Sequence, residues 1–152
     1  MRKILVSGCL FGWNCRYDGR AKPCVEPIFL KWKQEGRLIP VCPEVEGGLP
    51  TPRTPCQRDG DSIVTETGDD CTGEYLAGAE KALSVAKEND IVCCILKESS
   101  PSCGVNEIYD GTFSGKKTAG QGVTAELLRK NGFEIFSEDQ LHLVEEFLQK
   151  HS

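Results

Sequence analysis

The chain has 152 residues and a net charge of −5, with 39% hydrophobic and 27% charged residues. That is the composition of an ordinary globular domain long enough to bury its own core. It excludes a basic nucleic-acid footprint beyond a local pocket for one phosphate, and no apolar run is long enough to span a membrane.

Lys3 to Ser7 reads as a short buried strand. Leu5-Val-Ser-Gly-Cys9, preceded by Arg2 and Lys3, has the look of a lipoprotein cleavage box. The apolar stretch is far shorter than the ~7–15 residues of a signal core, so the expected location is the cytosol. A loop with Gly, Asn and Asp follows to about Lys22. Val25 to Glu35 reads as a helix, with Pro27 in its first turn and Gly36 past its end. Leu38 to Cys42 is a second short strand, and a long Pro-, Gly- and Thr-rich loop runs from Pro43 to Cys71.

Gly73 to Glu88 reads as a helix with Thr72 as N-cap and a buried stripe of Tyr75, Ala79, Ala82/Leu83 and Ala86. Ile91 to Leu96 is the most apolar strand. Another loop extends from Lys97 to about Gln121, with a short extended piece at Ile108 and Tyr109. Val123 to Lys130 is a helix closed by Asn131-Gly132, and Phe133 to Phe136 a fourth strand. The last helix is expected to start at Ser137, with Gln140 completing a capping box and Leu141, Val144, Phe147 and Leu148 on its buried stripe. Strands alternating with helices predict an α/β fold: one compact domain over 1–152, with a small, mostly parallel sheet of about four strands flanked by helices. Long loops sit at the carboxyl ends of the strands.

Nine cysteines stand at 9, 15, 24, 42, 56, 71, 93, 94 and 103. The odd number and the missing secretory signal argue against a disulfide scaffold. Cys93 and Cys94 are neighbours in a strand and point to opposite faces. Cys9, Cys42 and Cys103 follow the first three strands, so a parallel sheet brings their loops to one edge, where α/β folds bind ligands. Gly8, Pro43, Pro101 and Gly104 shape the turns around them. Three soft thiolates select an iron–sulfur cluster, zinc or copper(I). His142 and His151 both fall in the last helix and read as exposed. Cys15 shares a loop with Cys9 and is the spare candidate for a further ligand. Tyr-Asp-Gly at 17–19 and 109–111 reads as two turns that could also wall a pocket. Arg53 reads most simply as a surface arginine.

Several stretches together resemble one family, the TudS-like thiouracil desulfidases. They are Ser7-Gly-Cys-Leu10, Arg16-Tyr-Asp-Gly19, Pro40-Val-Cys-Pro-Glu44, Gly48-Leu-Pro-Thr-Pro-Arg53, Leu96-Lys-Glu-Ser-Ser-Pro-Ser-Cys-Gly104, Ile108-Tyr-Asp-Gly-Thr-Phe113 and Gly122-Val-Thr-Ala125. The resemblance implies a 4Fe–4S cluster held by Cys9, Cys42 and Cys103, with one iron not ligated by protein. It implies Glu44 as the catalytic carboxylate that activates water and Ser100 as a catalytic serine beside the substrate. The implied reaction replaces C=S by C=O in a thiolated pyrimidine, sulfur leaving through the open iron as sulfide. Relatives with an extra C-terminal domain act on thiolated tRNA. This chain ends at Ser152 without one, which points to a small free substrate rather than nucleic acid. The competing readings are a non-catalytic iron–sulfur or sulfide carrier and a structural zinc protein.

Overall fold

In the computed structural model residues 2–151 are described. In chain order the elements are β1 (Lys3–Ser7), α1 (Gly8–Phe11), α2 (Pro27–Gln34), β2 (Leu38–Val41) and α3 (Pro43–Glu46). A hairpin of β3 (Cys56–Asp59) and β4 (Ser62–Thr65) leads to α4 (Thr72–Glu88) and β5 (Ile91–Leu96). A second hairpin, β6 (Glu107–Tyr109) and β7 (Lys117–Ala119), precedes α5 (Val123–Lys130), β8 (Glu134–Ser137) and α6 (Leu141–Lys150).

The apolar runs form one parallel sheet in the order β2-β1-β5-β8. Ile4, Val6, Cys93 and Ile95 face α2 and α6, packing with Phe29, Trp32, Val144 and Leu148. Leu5, Cys94 and Leu96 face α4 and α5, packing with Ala82, Ala86 and Leu128. Cys93 and Cys94 thus serve opposite faces, as the alternation of a strand requires. Winding reverses between β1 and β5, which opens a crevice at the carboxyl ends of those strands. No helix among the described residues is long and apolar enough to cross a membrane.

The two long loops carry structure that composition hides. Residues 43–71 hold α3 and the β3–β4 hairpin, whose turn is Gly60-Asp61. Residues 97–121 hold the β6–β7 hairpin, and the loop after β1 begins with α1. Helix α2 starts at Pro27, leaving Val25 exposed, and β2 stops at Val41 because Pro43 opens α3. Strand β8 runs one residue later than expected, from Glu134 to Ser137.

Two expected helix starts are corrected. Thr72 is the first residue of α4 rather than its N-cap. Its hydroxyl accepts the Ile63 N–H at 2.9 Å and donates to the Asp70 carboxylate, so it ties the helix start to β4. Gln140 does reach back to Ser137 as a capping box requires, and Ser137 Oγ accepts the Asp139 N–H at 3.2 Å, but the pair sits one turn ahead of the last helix. Gln140 Oε1 accepts the Ser137 N–H at 3.0 Å and Ser137 O accepts the Gln140 N–H at 3.0 Å. The pair closes a turn, and α6 begins at Leu141. On α6, Leu141, Val144 and Leu148 are buried while Phe147 is half-buried under His151, the ring centres 4.2 Å apart.

Candidate active site

A cavity of about 340 Å³ opens beyond the carboxyl ends of β1, β2 and β5. Cys9, Cys42, Cys103, Glu44 and Ser100 all line it, although they come from three separate loops. Cys9 lies in the first turn of α1, Cys42 between β2 and α3, and Cys103 in the turn after β5. Neither His142 nor His151 lines it, and both are exposed.

The floor is tied together beneath the thiols. Ser7, buried at the end of β1, accepts the Lys97 N–H at 2.9 Å and so joins the ends of β1 and β5. The loop bearing Cys103 is wound around a second acid, Glu98. Glu98 Oε1 accepts the N–H groups of Val105, Asn106 and Glu107 at 2.8, 2.8 and 3.0 Å. Ser100 Oγ accepts the N–H groups of Ser102 and Cys103, each at 3.0 Å. Burial opposes the charge on Glu98, but the backbone N–H donors outweigh it and hold its pKa below the ordinary value. A depressed folded pKa adds stability above the unfolded value, and that stability is lost as pH falls through the folded value. Glu98→Gln should therefore cost ~1–2 kcal/mol at neutral pH, discounted for partial exposure, and almost nothing in strong acid. Urea unfolding followed from pH 7 down to the acid limb checks both the size and the sign.

Glu44 sits in the first turn of α3. Its Oε2 meets Arg53 Nη2 at 2.7 Å and Nε at 2.9 Å, and accepts the Tyr75 hydroxyl at 3.1 Å. Its Oε1 accepts from Ser100 Oγ at 3.4 Å. Arg53 is thus no surface arginine: its side chain is 6% exposed and also donates to Cys15 O at 2.9 Å. The chain folds back over the cavity after α3 and buries the guanidinium against Glu44 and the oxygens of Cys15, Pro50 and Thr51. Burial opposes its charge, and the Glu44 carboxylate more than offsets this and raises the Arg53 pKa. Tyr75 belongs to the buried stripe of α4 as expected, but its hydroxyl serves Glu44. Burial, then the Glu44 charge, push the phenol well above its usual range, so it acts only as a donor. A lone tyrosine in an otherwise alanine-rich stripe is the signal that could have found it, because a buried phenol needs a partner.

The thiols differ in character. Burial, then Cys42, raise Cys9 to about 11. Burial pushes the Cys103 thiol up further, although the Ser7 hydroxyl opposes it. Cys42 and Cys15 interact as a pair: the Cys42 thiol donates to Cys15 O at 3.7 Å. The contact with the Cys15 side chain, then the Val45 N–H, lower the Cys42 pKa against its burial, and the same contact together with burial raises that of Cys15. Cys15 and Cys56 share the cavity wall with the three expected thiols. The two Tyr-Asp-Gly turns also place Tyr17 and Tyr109 in that wall, so each is both turn and pocket.

The donor set fits a thiolate-held cluster. Three sulfurs, those of Cys9 and Cys103 buried and that of Cys42 half-buried, with no imidazole among them form a soft set suited to iron–sulfur ligation. Such thiols bind metal as thiolates and release any proton they carry. Among the described residues no three His, Cys, Asp or Glu side chains converge closely enough for a single metal ion.

Comparison with known proteins gives the same direction. The model of the 2-thiouracil desulfurase family matches residues 4–140. The chain is 46% identical to the uncharacterized protein YbbK of Bacillus subtilis (strain 168), over 91% of this chain and 97% of that one. A solved structure named as the 4Fe–4S-dependent thiouracil desulfidase TudS is similar with a TM-score of 0.96 and 48% identity, covering 98% of this chain and 99% of that one. The chain belongs to the 2-thiouracil desulfurase family.

Proposed function

We propose that this family member removes sulfur from small thiolated pyrimidines, with Cys9, Cys42 and Cys103 holding a 4Fe–4S cluster that has one iron free of protein ligands. The observation that carries the reading is the shared cavity. Three thiols line it beside a carboxylate that Arg53, Tyr75 and Ser100 hold in place. When bound, the cluster supplies a soft Lewis acid toward the sulfur of the C=S bond.

The protein groups then have definite tasks. Arg53 and Tyr75 occupy Oε2 of Glu44, which leaves Oε1 to take a proton from water. The water oxygen bonds to the carbon bearing sulfur, and the C–S bond breaks. Ser100 Oγ, beside Oε1, can pass that proton on toward the departing sulfur. Atoms balance as C=S plus H₂O giving C=O plus H₂S, with no change of oxidation state. A cavity of about 340 Å³ suits a free base or a molecule of similar size. Nine unpaired thiols suit the reduced cytosol.

The test is anaerobic reconstitution, iron and sulfide counts per chain, and then addition of 2-thiouracil. About four irons per chain and release of sulfide with uracil are expected. A single zinc, or four irons with no turnover of any thiobase, would overturn the reading in favour of a structural or carrier role.

A further inference from the structure

One wall of the cavity forms where the two hairpins meet. Phe113, in the turn between β6 and β7, lines the cavity. Its φ is 58°, in the left-handed region that a bulky side chain avoids. Such a conformation persists only where the surroundings over-determine it, and strain of this kind collects at ligand clamps. Here the hold is visible. Gln57 reaches across from β3, and its Oε1 accepts the N–H of Gly111 at 3.0 Å and of Phe113 at 3.2 Å. Gly111, at φ 90°, presses the turn so close to β3 that a Cβ would stand 3.0 Å from Arg58 O. Asp110 N donates to Lys116 O at 3.0 Å and closes the turn behind.

Two other aromatic rings of the wall have a cation over them, and the third, Tyr75, is buried with its hydroxyl on Glu44. Arg16 lies over Tyr17 at 5.9 Å and Lys117 over Tyr109 at 5.4 Å from the ring centres. Among the described residues, the Phe113 ring has neither a ring nor a cation against it.

We propose that Phe113 is the residue that binds the flat ring of the substrate, its phenyl face held in the cavity for stacking, with Gln57 as the positioning residue that keeps it there. The inference rests on the desulfidase reading above. A phenyl face favours planar heterocycles of any hydrogen-bonding pattern, because every base presents a π-face. Phe113 would thus contribute binding rather than chemistry and would favour cyclic thiobases over aliphatic thiocarbonyl compounds.

Phe113→Gly separates binding from folding. Glycine adopts this φ without strain, so the variant loses the ring and the strain together. In the reconstituted holoenzyme, iron content and Tm should hold or rise, and kcat should stay within about threefold. KM, and Kd for uracil or 2-thiouracil by equilibrium dialysis, should rise roughly 5- to 100-fold. Phe113→Tyr should restore both. Gln57→Met should raise KM in the same direction and add nothing in the Phe113→Gly background. An unchanged KM and Kd in Phe113→Gly overturns the inference, as does a fall in Tm with loss of iron, which would make the ring mere packing. Wild-type holoenzyme that neither binds nor desulfurates thiouracil overturns the desulfidase reading itself, and this inference with it.

Discussion

Glu44→Gln should lower the turnover of thiouracil by about 10²–10⁴-fold while iron and sulfide per chain stay at the wild-type level. Glutamine matches glutamate in size and can still accept from Arg53 and Tyr75, so the cavity keeps its shape. What it loses is the capacity to take a proton from water at Oε1. The substitution also removes the counter-charge of a guanidinium whose side chain is 6% exposed, which is costly when no other acceptor is present. Arg53 retains acceptors in Cys15 O, Pro50 O and Thr51 Oγ1, so the expected loss of stability is ~1–3 kcal/mol rather than unfolding. Glu44→Asp controls for that loss. It keeps the charge but shortens the arm by one methylene, so turnover should again fall while Tm stays near wild type. Single-turnover assays beside iron counts and thermal melts distinguish the outcomes. Undiminished turnover in the glutamine variant would rule out Glu44 as the base, and turnover that falls only with lost iron would give it a structural task.

The sheet was legible because its strands are short, apolar and doubly buried, and the longer helices because their apolar stripes repeat at helical spacing. The small elements were not. Helices α1 and α3 have four residues each, too few for periodicity to show. Strand β7, Lys117–Ala119, is exposed along its whole length and presents no alternation. The β3–β4 hairpin did carry a signal, Gly-Asp at its turn, which the surrounding polar residues masked. The cavity followed from chain order alone, since cysteines placed after parallel strands must gather at one edge. The partners of Glu44 did not follow. Tyr75 lies 31 residues away and Arg53 reads as solvated until the loop after α3 folds over it. Burial of a single charged residue is a tertiary property, and one sequence carries no direct record of it. Glu98 escaped for the same reason, because the donors that hold it are backbone N–H groups and leave no trace in residue type.

Gly78→Ala should destabilise the protein by about 3 kcal/mol or more and abolish desulfuration with it. Intrinsic propensity argues the other way: alanine in a helix interior is favoured over glycine by ~0.8–1.0 kcal/mol. Sterics decide the sign. A Cβ at Gly78 would stand 1.8 Å from Pro43 O, and one at Gly47 would stand 1.9 Å from Glu74 O. The obstacle in each case is backbone, not the flexible end of a side chain, so α3 must move away from α4. Helix α3 has only four residues and carries Glu44, and Cys42 is its N-cap residue. Any shift that relieves the clash therefore displaces the proposed base and one proposed ligand together. Gly73→Ala is the matched control. It lies in the same helix with nothing within 4 Å of the added carbon, so it should be neutral or stabilising by up to ~1 kcal/mol, with iron content and turnover unchanged. Urea midpoints and iron counts on the two variants side by side make the comparison. Equal stability in both would mean that the α3–α4 contact yields at little cost, and that the position of Glu44 is set by Arg53 and Tyr75 rather than by the close approach of the two backbones.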